Sequence, residues 1–337
     1  MKLRLGMGPG KRRVASGLAT KVGLVLLALG VAASAVACGS SDSTTESTAE
    51  AVTIKHSFGE TKVDGTPKRI VTLGNQWLDA VQALGVVPVG FIDNNAAVSG
   101  GAAMPWEPES LGQSKSLSLN GDLVEQIGAL EPDLILVPGF QVDKAMYEKL
   151  SKLAPTIGPV TAGAQIDSWA DEVTVLGKVL HKQSDAEQVI ATVNGKIDEV
   201  AERYPGLRGK TFLTCMLTAP TQLMVLADPK DGSAALFNKL GLSIPEHIAK
   251  EAPLGGRLAL SPERLADLDA NVLVCGAMPN LADKFKQLPG YAELPSVRSN
   301  SLAFVDVLTI GAINSPTALS VPYILEKLDP ALAAAAK

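Results

Sequence analysis

Few side chains in this chain are suited to catalysis or to metal binding. The histidines His56, His181 and His247 are predicted to lie in the N-terminal tail, between helices and in a loop, so they form no metal-binding cluster. The sequence also has no Gly-x-Ser-x-Gly, no phosphate-binding loop, no His-Glu-x-x-His and no cysteine pair at zinc spacing. We therefore predict a ligand-binding protein with no cofactor, no metal ligands of its own and no enzymatic activity.

The best candidates for ligand contacts are planar, polar and cationic side chains near predicted strand ends. Trp77 and Asn75 directly follow a predicted strand, and a flat ring can stack on a ligand at little entropic cost. Trp106 lies in a Met-Pro-Trp-Glu-Pro loop, Met216 ends another predicted strand, and Arg257 could hold an anionic group. The alternatives are that Trp77 packs in the first turn of its helix, Trp106 lies on a surface and Arg257 is solvated.

The elements that position these residues alternate between short apolar strands and helical segments. This pattern is typical of a parallel sheet covered on both faces. The predicted strands are 69–73, 86–91, 134–137, 156–160, 211–216, 272–275 and 302–307, and helices at 78–84 and 234–240 end at glycines. Because two short motifs recur in both halves, we predict two similar α/β lobes.

A long amphipathic helix is predicted over residues 184–204, between the two halves. Its apolar residues recur at helical spacing, and its length of about 30 Å matches the height of one domain. The predicted organisation is therefore an N-terminal α/β lobe at 53–165, linking helices at 166–208 and a C-terminal α/β lobe at 209–337.

The N-terminus has the features of an export signal. Six basic residues and no acidic ones precede sixteen apolar or small residues at 22–37, fewer than the about 20 that a membrane span needs. Cys38 follows Ala35-Val36-Ala37, which resembles the bacterial lipoprotein signal, whose cysteine is diacylated and anchors the protein. We predict that residues 1–37 are a signal peptide and that Cys38 is lipidated on the outer face of the membrane, although Ala35 leaves plain secretion open.

Composition restricts the mature protein further. Removing the six basic leader residues leaves 24 basic against 35 acidic side chains, a net charge near −11, which argues against nucleic acid as a partner. About 300 residues exceed the usual size of one core, which favours two domains. Residues 38–52 are polar with little to bury, so they are predicted to be a disordered tether.

An ordered set of motifs resembles the ferric-siderophore substrate-binding proteins of ABC importers. The motifs are Arg69-Ile-Val-Thr-Leu-Gly74, Ala83-Leu-Gly-Val-Val-Pro-Val89, Leu130-Glu-Pro-Asp-Leu-Ile135, Lys149-Leu-Ser-Lys-Leu-Ala-Pro155 and Leu260-Ser-Pro-Glu263. A C-terminal Ser315-Pro316 segment also resembles actinobacterial members. The resemblance implies two Rossmann-like lobes joined by one long α-helix, and a monomer that captures a ferric siderophore for an ABC permease in iron uptake.

Loops at the carboxyl ends of the strands should line a cleft between the lobes. They are 74–77, 93–106 and 138–141 in the first lobe and 216–221, 276–280 and 308–314 in the second. If neither Arg257 nor Lys284 nor Lys286 reaches this cleft, a triply anionic catecholate complex lacks a counter-charge. A neutral hydroxamate or mixed chelate would then be favoured.

Two glutamates are candidates for docking to the permease. Glu125 and Glu263 occupy corresponding helix starts, one in each lobe, and the resemblance implies that they face arginines of the permease. Charge complementarity of this kind mainly sets register and association rate. The alternative is simple stabilisation of a helix N-terminus, worth about 0.3–1 kcal/mol.

Two questions stay open at the level of sequence. Cys215 and Cys275 end predicted strands of one lobe, where an extracytoplasmic location permits a disulfide, but buried unbonded cysteines are the favoured prediction. The alternatives to siderophore binding are haem or cobalamin binding on the same scaffold, or a structural module of the cell envelope.

Overall fold

The computed structural model describes residues 50–94 and 103–337. The predicted signal peptide, the predicted lipidation site at Cys38 and most of the predicted tether lie outside this part of the chain. Within the described ranges, no helix combines the length and apolar character that crossing a membrane requires. These described residues belong to one compact unit that contains both sheets described below.

The described chain begins with an antiparallel hairpin of β1 (Val52–His56) and β2 (Gly59–Val63). The sequence did not predict this hairpin, and β1 starts at the last residue of the predicted tether. Polar contacts fasten it to the first lobe: the Thr61 hydroxyl donates to the Thr156 carbonyl at 2.6 Å, and the Ser57 N–H donates to the Pro159 carbonyl at 2.8 Å.

The N-lobe contains a parallel five-stranded sheet in the order β5-β4-β3-β6-β7. Its central strands β3 and β6 are buried at every position, as expected for a sheet covered on both faces. The strands are β3 (Ile70–Leu73), β4 (Gly90–Ile92), β5 (Lys115–Ser116), β6 (Leu134–Leu136) and β7 (Thr156–Ile157). The helices are α1 (Asn75–Ala83), α2 (Leu123–Gly128) and α3 (Lys144–Leu150).

Two helices link the lobes, α4 (Trp169–Val179) and α5 (Gln183–Arg203). The 21 residues of α5 agree with the predicted long helix to within one residue at each end. Its buried positions Ala186, Val193, Ile197 and Val200 recur at helical spacing, so the apolar stripe that predicted the helix is the face that packs.

The C-lobe contains a mixed five-stranded sheet in the order β10-β9-β8-β11-β12. Strands β8, β11 and β12 are parallel, whereas β9 and β10 are antiparallel additions at one edge. The strands are β8 (Phe212–Ala219), β9 (Gln222–Leu226), β10 (Arg257–Leu260), β11 (Val272–Ala277) and β12 (Leu302–Phe304). The predicted two-lobed α/β class is therefore confirmed, with an antiparallel edge that the sequence did not predict.

The remaining helices lie in the C-terminal part of the chain, with the strands of this second sheet. They are α6 (Ala235–Lys239), α7 (Glu246–Ala249), α8 (Ala282–Lys286), α9 (Pro295–Arg298), α10 (Val307–Asn314) and α11 (Ser320–Ala335). Short 3-10 turns occur at Glu109–Gln113, Pro205–Leu207, Gly232–Ala234, Pro262–Asp267 and Tyr291–Glu293. The predicted loop at 308–314 is helical because the Asp306 carboxylate caps α10 by accepting the Thr309 N–H at 2.7 Å.

Cys215 and Cys275 form a disulfide, so the prediction of unbonded cysteines was wrong. The two residues are direct register partners on the neighbouring parallel strands β8 and β11, with Cα atoms 4.6 Å apart. Sequence reasoning placed both at strand ends but could not supply this register. The bond ties together the two central strands of the C-lobe.

Replacing both cysteines by alanine should lower the free energy of unfolding by about 4 kcal/mol, because the bond closes a loop of 60 residues. Urea denaturation of the leaderless chain beginning at Gly39 measures the difference. Thiol titration in denaturant is the direct check, with no free thiol expected before reduction and one expected in Cys215→Ala. Two free thiols in the unreduced wild type would contradict the bond.

Candidate ligand-binding cleft

A cavity of about 200 Å³ lies where the two lobes meet. Its N-lobe wall follows the carboxyl ends of β3, β4 and β6, and its C-lobe wall is formed by the end of α10 and the residues after it. The residues lining it are Gly74, Asn75, Gln76, Asp79, Asn94, Trp106, Pro138, Phe140, Gly311, Ala312, Asn314, Ser315 and Thr317. This is the edge at which open parallel sheets bind ligands.

Close packing at Gly74 shapes the N-lobe wall. Gly74 has φ 139°, which favours glycine, and a Cβ there would lie 3.0 Å from Pro138 Cγ. The next residue, Asn75, donates through Nδ2 to Asp93 at 2.8 Å and accepts the Asn94 N–H at 2.8 Å. These bonds join the loops after β3 and β4, so Asn75 lines the cavity and also holds its wall together.

The prediction that Trp77 stacks on the ligand was wrong. Its side chain is completely buried in the core that the lobes share. Because α-helical residues advance by about 100° each, Trp77 lies roughly 200° around α1 from Asn75 and faces away from the cavity. Trp77 instead packs in the first turn of α1, as the alternative prediction from the sequence has it.

Trp106 is the tryptophan that lines the cavity. Its ring is half-buried and lies 5.2 Å, centre to centre, from the Tyr323 ring of the C-lobe. Its indole N–H donates to Asp79 Oδ2 at 2.9 Å. Trp106 therefore presents an aromatic surface to the cavity while contacting both lobes.

Asp79 is a cavity residue that sequence reasoning missed. It is 4% exposed, and its Oδ2 also accepts the Thr317 hydroxyl at 2.6 Å, a bond between the lobes. Burial is the main cause that raises the pKa of Asp79 to about 7, with Glu107 and Asp93 adding to it and the two hydrogen bonds opposing it. The available signal was an acidic residue within the apolar run Leu78-Asp79-Ala80-Val81.

Gln76 forms a second polar contact between the lobes. Its buried side-chain Nε2 donates to the Asp167 carbonyl and to the Pro316 carbonyl, both at 3.1 Å. Gln76 therefore connects α1 of the N-lobe to both the linking segment and the C-lobe. Together with Asp79, it fixes the floor of the cavity.

Arg257 and Met216 do not line the cavity. Arg257 Nη1 lies 3.2 Å from Oδ2 of the buried Asp231, and Nη2 lies 3.0 Å from Ser233 Oγ and 3.4 Å from the Asn314 carbonyl. Met216 lies within β8, which continues to Ala219 and pairs with β9, so the loop predicted to begin at Met216 is a strand. Arg257 reaches the described part of the cavity wall through the carbonyl of Asn314.

The two predicted docking residues lie on the surface, one in each lobe. Glu125 follows the cap Asp122, whose carboxylate accepts the Glu125 N–H at 3.0 Å. The Glu263 N–H donates to the Ser261 hydroxyl at 3.3 Å. Both carboxylates are available to a partner, and their docking role stays a prediction.

The geometry fits a binding site for a small molecule. Among residues 50–94 and 103–337, no group of three or more His, Cys, Asp or Glu side chains is placed to hold a metal ion. The walls instead offer amides, hydroxyls, an indole ring and the Phe140 ring, which is 40% exposed at the rim. Such a mixture of apolar surface and a few polar groups is typical of ligand pockets.

Comparison with known proteins gives consistent relatives. The Fe(3+)-citrate-binding protein YfmC of Bacillus subtilis (strain 168) is 27% identical over 252 residues, covering 74% of this chain and 76% of that protein. The probable siderophore-binding lipoprotein YfiY of the same organism is 28% identical over 249 residues, covering 70% and 73%. The crystal structure of a periplasmic solute binding protein from Mycobacterium smegmatis str. MC2 155 superposes with a TM-score of 0.71 at 27% identity, covering 86% and 99%.

The family model described as periplasmic binding protein matches residues 70–306. This range runs from the first strand of the N-lobe sheet to the residue that caps α10, and it includes both sheets and the linking helices. The protein with this interlobe cavity therefore belongs to the periplasmic binding protein family.

Proposed function

We propose that this protein is an extracytoplasmic solute-binding protein, not an enzyme, that captures a ferric siderophore in the interlobe cavity. It then delivers the complex to an ABC-type permease for iron uptake. The observation that carries the proposal is the cavity itself, built from strand ends of one lobe and α10 of the other, with Trp106 exposed to it. The names of two relatives, the Fe(3+)-citrate-binding protein YfmC and the probable siderophore-binding lipoprotein YfiY, support the ligand class.

The iron needs no donor atom from the protein, because a siderophore fills the coordination shell of the metal. Contacts then come from the organic framework, to which Trp106 and Phe140 offer aromatic surface and Asn94 and Asn314 offer amides. A cavity of about 200 Å³ accommodates only part of such a ligand, so the remainder would extend past the rim. A shallow site of this kind is accessible to a large rigid complex.

Capture is followed by a small movement of the lobes. Residues of both sheets and of α4 and α5 belong to one continuous core, and the bonds of Gln76 and Asp79 cross between the lobes beneath the cavity. Separating the lobes would leave buried polar groups without partners. Specificity is then largely preset in the free protein.

The mature protein is proposed to work as a monomer held to the outer face of the membrane. Diacylation of Cys38 would provide two acyl chains, enough for a stable anchor. The name of the relative YfiY includes the word lipoprotein and supports this arrangement. Residues after Cys38 would leave the binding lobes free to approach the permease.

Replacing Trp106 by alanine should weaken binding of the chelate about tenfold or more, since the variant removes a half-buried ring at the cavity. The wild-type leaderless chain, titrated with ferrioxamine B, ferric enterobactin, ferric citrate, haemin and cobalamin, should show saturable tryptophan quenching with a ferric chelate. Isothermal titration of Trp106→Ala then measures the loss. Trp169→Phe, at a buried position, is the matched control and should bind as the wild type does.

The outcome of that titration separates the alternatives. Binding of haemin or cobalamin alone would move the ligand to another class on the same scaffold. An absence of binding by all five compounds would contradict the proposed function and favour a structural role in the cell envelope.

Replacing Glu125 and Glu263 together by alanine should abolish ferric-chelate uptake and leave ligand affinity unchanged within about twofold, because both carboxylates lie on the surface. Radioactive iron uptake is measured in cells whose chromosomal gene is replaced by each variant. The exposed acids Glu148 and Glu326, also one in each lobe, give the matched control Glu148→Ala/Glu326→Ala. Normal uptake by the Glu125/Glu263 variant would rule out the docking role.

A further inference from the structure

We propose that the cavity selects ferric chelates that carry no net negative charge, and that Asp79 is the residue that sets this selectivity. The inference rests on the proposed function and narrows its substrate class. Two observations support it: an acidic group lies at the floor of the cavity, and the guanidinium of Arg257 beside the cavity is already paired with a carboxylate.

The floor of the cavity carries a buried carboxyl group held by neutral donors. Asp79 Oδ2 accepts the Trp106 indole N–H and the Thr317 hydroxyl, at 2.9 Å and 2.6 Å. These two bonds orient the group without neutralising its charge. Because Asp79 is 4% exposed, water screens that charge poorly, and a charged ligand group in the cavity interacts with it strongly.

Other charges near the floor have the same sign. Glu107 and Asp93 act electrostatically on Asp79 and raise its pKa. Because this effect comes from the negative charge of the two neighbours, the potential around the cavity is negative. None of the cavity-lining residues among those described is a lysine or arginine. The segment 95–102, which lies outside the described residues, has no charged residue in the sequence and contains only Asn, Ala, Val, Ser and Gly.

The C-lobe cation Arg257, which contacts the cavity-lining residue Asn314, is already neutralised. Arg257 forms an ion pair with Asp231, which is 3% exposed, and its guanidinium also contacts Ser233 and the Asn314 carbonyl. Using Arg257 to bind an anionic chelate would weaken its interaction with a buried carboxylate. Arg257 therefore does not supply the counter-charge that a catecholate or citrate complex requires.

The protonation of Asp79 sets the conditions of the test. Its pKa of about 7 means that the carboxylate is largely ionised at about pH 8. Glu107 and Asp93 face it from the N-lobe loops. Burial is the main cause that raises the pKa of Glu172 on α4, and the charge of Asp79 adds to it after those of Asp167 and Asp171. Measurements at about pH 8 and low salt keep Asp79 charged and screening weak.

One chelate with three end groups isolates charge from shape. Ferrioxamine B carries a free ammonium group; N-acetylation makes the complex neutral and N-succinylation makes it anionic, with the iron centre unchanged. Isothermal titration of the leaderless chain should give affinities that fall in that order, spanning about tenfold or more. The span should shrink in about 1 M salt, where the Debye length is about 3 Å. Ferric enterobactin and ferric citrate are titrated alongside and should bind more weakly than the neutral complex.

The variant Asp79→Asn assigns the effect to one residue. Asparagine keeps a side-chain oxygen that can accept both hydrogen bonds but carries no charge. Because only the charge is lost, the span of affinities between the ammonium and succinyl forms should narrow several-fold. The matched control Asp64→Asn removes the same charge at a side chain that is 75% exposed, directly after β2. It should leave the span unchanged.

The results separate failure of the inference from failure of the proposed function. Equal or tighter binding of the succinylated form, or of enterobactin or citrate complexes, would overturn charge selection while ferric-chelate binding stands. An unchanged span in a folded Asp79→Asn would refute the role of Asp79. If Asp79→Asn does not fold, the wild-type series at low and high salt still decides the charge preference. No binding by any ferric chelate would refute the proposed function itself.

Discussion

The polar contact between α1 and the C-lobe is the constraint on which the cleft depends. Gln76 donates to the Asp167 and Pro316 carbonyls, and Asp79 accepts from Thr317, all at buried positions. Moving the lobes apart would leave an amide, a carboxyl group and two carbonyls without partners in surroundings of low polarity. The floor of the cavity is therefore held in one arrangement.

The apolar core also opposes separation of the lobes. One continuous cluster includes the buried face of α1, the linking helices α4 and α5 and both sheets, so the lobes share a core beneath the cavity. Close-packed interiors resist gradual deformation. The cavity is consequently preformed, and the charge of its floor, set by Asp79, is part of its selectivity.

Local pattern predicted much of the fold. Helix α5 was predicted to within one residue at each end because its apolar residues recur with the helical period, and α1 was predicted to end near Gly85. The hairpins β1–β2 and β8–β9 were missed because short antiparallel strands depend on neighbours as much as on their own residues. Helix α10 was predicted as a loop although Asp306 caps it.

The sequence by itself determined the α/β class, the repetition of the lobes, the helix between them and the family resemblance, since these follow from periodicity, turn residues and ordered motifs. Tertiary structure alone decided that Asp79 rather than Trp77 faces the cavity, that Cys215 pairs with Cys275 and that Asp231 neutralises Arg257. Each of these depends on which distant segment lies opposite a residue. That information resides in helix orientation and strand register, which a local pattern does not specify.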